Sequence, residues 1–201
     1  EARRAALAGE RMRRRSQTAR FVNQKVPHEL APVTDAMLAD PPPGDWLSWR
    51  RTRNSHGYSP LDQVTRDNVA DLQLSWRWNS IDNPVLEAHS ELWAMVNEAT
   101  PLAIGEVLYT STALGQVAAL DARSGQTLWT YDSGTYKDGT PANTGFVHRG
   151  VSYWENGEDR RIIFGTGDAY LIALDARSGK SVEEFGREGR VDLTRGLRRP
   201  F

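Results

Sequence analysis

The chain reads as an all-β protein built as a β-propeller, and three observations carry that reading. The heptapeptide Ala-Leu-Asp-Ala-Arg-Ser-Gly occurs twice without change, at residues 119–125 and 173–179. Each copy lies between a short apolar run and a second run opened by a polar residue, Gln126 or Lys180, which is the pattern of strand, tight turn, strand. The interval between the copies falls within the roughly 40 to 55 residues of a propeller blade made of short strands.

Bulk composition narrows the partners. The 201 residues are 39% hydrophobic and include seven Trp, enough to bury a core. The 25 basic and 26 acidic residues leave a net charge of −1, so no overall field draws the chain to nucleic acid or to an anionic membrane. With no cysteine, disulfides, thiolate zinc sites, iron–sulfur clusters and covalently attached haem are excluded. No apolar run reaches the length of a membrane-spanning helix. The sequence starts Glu1-Ala2-Arg3-Arg4, without Met or an apolar signal core, as expected of a processed chain or an excerpt.

In chain order, residues 1–20 are rich in Arg and Ala and read as an exposed helix. Residues 21–45 carry Pro27, Pro32 and Pro41-Pro42-Pro43-Gly44, which predict a linker or surface strap without regular structure. The predicted organisation is therefore a basic extension and Pro-rich linker over 1–44 and a partial propeller domain over 45–201. Leu72, Leu74, Trp76 and Trp78 alternate with polar residues and predict a half-buried strand. Residues 100–132 predict a four-stranded blade, with strands at 101–104, 107–112, 116–121 and 127–131. A polar loop over 133–143 is long enough to suggest function. The second blade is predicted from strands at 151–154, 161–164, 170–174 and 181–185, its first hairpin turning at Asn156-Gly157. Residues 186–201 read as loop, so the predicted blade count is two.

The run Ala119-x-Asp121-x-x-x-Gly125-x-x-x-Trp129 resembles the tryptophan-docking motif of the pyrroloquinoline-quinone (PQQ) dehydrogenases. Three other stretches resemble the same family: the entry segment Trp49 to Trp78, with Asn54-Ser55-His56-Gly57-Tyr58-Ser59 and Asn68-Val69-Ala70-Asp71-Leu72; Asn97-Glu98-Ala99-Thr100-Pro101-Leu102; and His148-Arg149-Gly150-Val151-Ser152-Tyr153-Trp154. The run Phe185-Gly186-Arg187-Glu188-Gly189-Arg190-Val191-Asp192-Leu193 is similar to the membrane-bound glucose dehydrogenase branch, with the methanol and ethanol branch a close second. The resemblance implies the N-terminal part of an eight-bladed quinoprotein propeller, about two blades plus the strand that closes the ring.

The same resemblance assigns Glu98 and Arg149 to cofactor binding. It implies an enzyme that oxidises an alcohol or aldose by hydride transfer to PQQ beside calcium or a lanthanide. Electrons then pass to ubiquinone or a cytochrome, in a periplasmic or periplasm-facing location. The family's metal ligands and catalytic Asp base fall beyond the second blade, so this chain alone is expected to be inactive. Exposed blade edges would invite pairing with other chains. The vicinal disulfide covering the quinone in many relatives falls here on Asn143-Thr144, and the covering His of the glucose branch on Gly145, which leaves His148 as the candidate substitute. Asp121 and Asp175 are expected to cap their turns, and Trp93 is a candidate for the substrate mouth. A non-catalytic propeller scaffold and an inactive truncated product are the readings that compete with the enzyme.

Overall fold

The structure is a computed structural model that describes residues 32–141 and 145–197. The basic run 1–20 and the pair Asn143-Thr144 lie outside the described residues. Two four-stranded antiparallel blades dominate. The first has the order β2 (Leu102–Ile104), β3 (Val107–Ser111), β4 (Val117–Asp121), β5 (Thr127–Tyr131). The second runs β7 (Ser152–Asn156), β8 (Asp159–Gly165), β9 (Tyr170–Asp175), β10 (Arg190–Asp192). A parallel pair, β1 (Ala94–Asn97) with β6 (Phe146–His148), joins the segments that lead into them. Among the described residues the sheets do not close into a ring. No described helix is long and apolar enough to cross a membrane.

Alternation along the strands sends side chains to two clusters. Val107, Tyr109, Val117 and Ala119 face the second blade and pack with Ile162, Phe164, Ile172 and Leu174. Ala118 and Leu120 point the other way and bury against Ile81, with Trp78 and Leu108 alongside. The first blade is thus covered on both faces. In β7 every second residue is exposed, including Trp154, so the second blade is covered on one.

The repeated heptapeptide forms two like turns, and its aspartates cap them as expected. Asp121 Oδ1 accepts from the backbone N–H groups of Arg123 and Ser124 at 3.1 and 2.8 Å, and Asp175 Oδ1 accepts from that of Ser178 at 2.7 Å. Gly125 and Gly179 close the turns at φ +70° and +69°, a left-handed conformation costly for any residue with a Cβ. Each glycine also makes room for an indole ring: Trp76 lies over Gly125, and Trp129 over Gly179. Each ring donates Nε1–H to a turn carbonyl, Trp76 to Ala122 at 3.2 Å and Trp129 to Ala176 at 3.0 Å.

Three elements differ from the sequence reading. Residues 72–78 form no strand ladder; Leu72 and Leu74 are 62% and 73% exposed, while Trp76 and Trp78 attach the segment through their indole N–H groups. Among the described residues no strand pairs with this segment. The predicted strand over 181–185 is reduced to a bridge between Leu174 and Ser181. Beyond it the chain leaves the sheet through a turn with Glu188, Gly186 and Gly189 at positive φ, and resumes pairing as β10 inside the stretch read as loop. The Pro-rich stretch holds a short helix, α1 (Asp35–Ala39), because its prolines flank the helix rather than interrupt it; Thr34 caps it by accepting from Met37 N–H at 3.2 Å. Met37 and Leu38 pack on the main core.

Candidate functional site

Glu98 directly follows β1 and Arg149 directly follows β6, and the register of this parallel pair sets Asn97 opposite His148. The next residue on each strand is therefore brought level. Arg149 Nε lies 3.2 Å from Glu98 Oε2, with side-chain exposures of 77% and 46%. The structure brings together the two residues singled out for cofactor binding. An ion pair this exposed is worth about 0 to 1 kcal/mol, so a better ligand for either charge displaces it at little cost.

The strands that carry the pair also feed an apolar cluster, through Ala94 and Phe146. Leu114, Tyr136 and Phe146 are buried together, with Val85 and Leu86 from α2 (Asp82–Ala88) and with Leu92 and Ala94 packed against them. Tyr136 comes from the 133–143 loop, which folds here into a 3₁₀-helical turn (Thr135–Asp138). Its hydroxyl donates to Asp132 Oδ2 at 3.0 Å, and burial followed by that bond pushes the phenol above its usual range. Thr135 Oγ1 donates to Asp168 Oδ1 at 3.2 Å, tying the loop to the second blade.

His148, the candidate cover of the quinone, is held inside the fold. It is 8% exposed, donates Nε2–H to Gly165 O at 2.9 Å, and takes the Gly150 N–H on Nδ1 at 3.3 Å. Burial holds its pKa below the ordinary imidazole value. Trp93 is exposed just ahead of β1. No described residues form a cluster of three or more His, Asp or Glu able to hold a metal ion.

The sequence reading did not single out Asp82. Its buried carboxylate accepts from Thr112 Oγ1 at 2.5 Å, Gln116 Nε2 at 2.7 Å and Leu114 N–H at 3.1 Å, fastening α2 to the turn between β3 and β4. The local signal was an Asp at a helix start after Ser80, which donates no hint of the distant turn it serves. The donors of PQQ chemistry fit the exposed pair: a guanidinium suits its carboxylates and quinone oxygens, and a carboxylate suits a ring N–H.

Comparison with known proteins identifies the family. A family signature described as "PQQ: Glucose/ethanol/alcohol dehydrogenase, beta-propeller domain" matches residues 46–200. The chain is 41% identical over 143 residues to the dehydrogenase subunit of alcohol dehydrogenase (quinone) from Gluconobacter oxydans, covering 70% of this chain and 17% of that protein. It is 34% identical over 178 residues to quinoprotein glucose dehydrogenase from Escherichia coli, covering 82% and 20%. The solved quinohemoprotein alcohol dehydrogenase ADHIIG from Pseudomonas putida superposes with a TM-score of 0.63 at 32% identity, covering 84% of this chain and 22% of that one. The chain thus spans about a fifth of the length of the relatives it matches. The signature over 46–200 and these identities together show that the chain belongs to the PQQ-dependent glucose/ethanol/alcohol dehydrogenase β-propeller family.

Proposed function

We propose that this chain supplies part of the PQQ grip of a quinoprotein dehydrogenase, with Glu98 and Arg149 as its cofactor-facing residues. The observation that carries the reading is their convergence: the parallel pair β1–β6 sets their side chains 3.2 Å apart and partly exposed at the mouths of successive blades. PQQ, when bound, supplies a quinone that takes up hydride from an alcohol or aldose. Arg149 would hold an anionic or carbonyl oxygen of that cofactor and favour the negative charge of its reduced form. Glu98 would accept from a ring N–H or hold a protonated carboxyl. Identity is higher with the alcohol dehydrogenase subunit than with the glucose enzyme, so a primary alcohol is the first substrate class to test and an aldose the second.

The calcium or lanthanide that completes such a site would take its ligands, like the catalytic base, from outside the described residues. One structural relative, with a TM-score of 0.55 at 26% identity, is described as a europium-containing methanol dehydrogenase. A periplasm-facing location and electron transfer to ubiquinone or a cytochrome follow the same family logic.

Titration of the full chain with PQQ, followed by quenching of tryptophan fluorescence, tests the reading. Saturable binding is expected, weakened by about tenfold or more in Arg149→Ala, since a lost charge-assisted bond is worth about 1.5 to 3 kcal/mol. Glu98→Gln should weaken it less, because the amide keeps one acceptor. No binding, or equal binding by all three, would leave the non-catalytic scaffold as the better account.

A further inference from the structure

We propose that His148 is a positioning residue for Arg149: its buried imidazole fixes the 148–150 turn, so that the guanidinium is presented beside Glu98. The inference rests on the reading of Glu98 and Arg149 as the ligand-facing pair.

Adjacent residues have opposite environments here. Arg149 is exposed, while His148 is buried and spends both ring nitrogens on the backbone. Because Nε2–H donates to Gly165 O at 2.9 Å, Nδ1 is the nitrogen with the lone pair, and it accepts the Gly150 N–H at 3.3 Å. One bond ties the ring to the end of β8. The other closes over the peptide just after Arg149. Arg149 is thus bracketed, on its N-terminal side by the β1–β6 register and on its C-terminal side by the imidazole.

Gly150 shows how tightly this turn is held. Its φ is +118°, and a Cβ there would lie 3.3 Å from Thr100 O, so the turn passes close to the backbone two residues after Glu98. The imidazole packs on Phe164, with ring centroids 5.9 Å apart, and borders Gly115 of the first blade. The charges around it are Asp82 at the start of α2, Glu98 beyond β1, Arg149 beside it, and Asp168 reached through Thr135. Burial outweighs the bond to Gly165 and the charge of Asp82 and holds the imidazole pKa below its ordinary value, so that Nδ1 stays an acceptor near pH 7. Protonation would turn that acceptor into a donor facing the Gly150 N–H, and the bracket would open.

A double-mutant cycle separates positioning from packing. His148→Phe keeps a ring in the same apolar site and removes both hydrogen bonds. His148→Asn shrinks the side chain but can keep an acceptor for Gly150. Two readouts are followed on the full chain: the Arg149 Nε–H signal in ¹⁵N NMR, and PQQ affinity by fluorescence. His148→Phe should broaden the Arg149 signal and weaken PQQ about tenfold in the native background, yet have no further effect in Arg149→Ala. His148→Asn should fall between them. The native chain should show the same broadening as acidification protonates His148, and neither variant should titrate.

The proposal is overturned if His148→Phe leaves the Arg149 signal and affinity at native values, or if its loss is undiminished in Arg149→Ala. Should His148→Phe fail to fold, His148→Asn and the native pH titration decide by the same criteria. If the native chain does not bind PQQ, the cofactor reading falls, while the Arg149 signal still decides the role of His148.

Discussion

Replacing Gly179 by Ala should be among the most damaging single-methyl changes in the chain. A Cβ at Gly179 would lie 2.5 Å from Cε3 and 2.6 Å from Cδ2 of Trp129, whereas carbon atoms rest at about 3.5 to 4.0 Å. The indole would have to retreat by roughly 1 Å. It has no room to do so, being fully buried, tilted against Tyr109 at 5.9 Å, and held by the bond from Nε1 to Ala176 O. Overpacking costs about 1 to 3 kcal/mol and a left-handed alanine about 1 to 2, so Gly179→Ala should lower stability by about 2 to 5 kcal/mol. Gly125→Ala meets Trp76 in the same way, but that ring is only half-buried, between the exposed Leu74 and Arg77. Trp76 can swing off, giving up its bond to Ala122, so this change should fall at the low end of the range. Urea unfolding followed by near-UV circular dichroism measures both. A loss under about 1 kcal/mol in Gly179→Ala, or a larger loss in Gly125→Ala, would refute the docking account, given the magnitudes for overpacking.

Asp82→Asn replaces one carboxylate oxygen by an amide N–H2, which faces the Leu114 donor if it takes the place of Oδ2 and the Thr112 and Gln116 donors if it takes that of Oδ1, and should cost about 1 to 3 kcal/mol; an unchanged melting temperature would remove Asp82 from the account of how α2 is held. His148 contributes a pH dependence whose sign follows from its lowered folded pKa. The unfolded chain binds the proton more readily, so this stability is present above the ordinary imidazole value of 6.5 and is lost as pH falls below it. Unfolding free energies measured from pH 7.5 to 5 should decline, and less steeply in His148→Phe; parallel profiles would contradict it. Arg51 is buried and grips Pro41 O at 2.7 Å and Pro42 O at 3.2 Å, so Arg51→Ala should speed proteolytic cleavage within residues 33–45 while leaving the blades folded, and an unaltered digestion pattern would count against that role.

What was legible in the sequence was what repeats or alternates. The twin heptapeptides located both turns, and the Asn156-Gly157 signal located a hairpin, because local turn chemistry needs no distant partner. Alternation over residues 72–78 implied a half-buried strand that the structure does not form, because alternation cannot supply the neighbour that makes a strand, and here no described strand flanks it. Glu183 stands where the first blade has Trp129, and the structure shows why the substitution is tolerated: the chain leaves the sheet after Ser181, so Glu183 is exposed rather than stacked over a turn. Glu98 and Arg149 were found through family resemblance, while their ion pair could not be foreseen. It depends on two strands of only three and four residues, too short to show a period, pairing in parallel although far apart in the sequence.

That pairing contains an irregularity on which the site depends. The register runs Ala94 with Phe146, then Val96 with Val147, then Asn97 with His148, so β1 carries one more residue than β6 between the first two rungs. Continued without the bulge from Ala94, the ladder would set Asn97, not Glu98, level with Arg149. The extra residue advances β1 by one place and delivers the carboxylate to the guanidinium. A bulge is a common device for re-aiming a side chain beside a functional site. Here it acts together with His148: the bulge sets the level of Glu98 on one strand, and the imidazole fixes the turn that carries Arg149 on the other. The two charges meet because each strand end is constrained separately, by backbone features that no pattern of hydrophobic residues records.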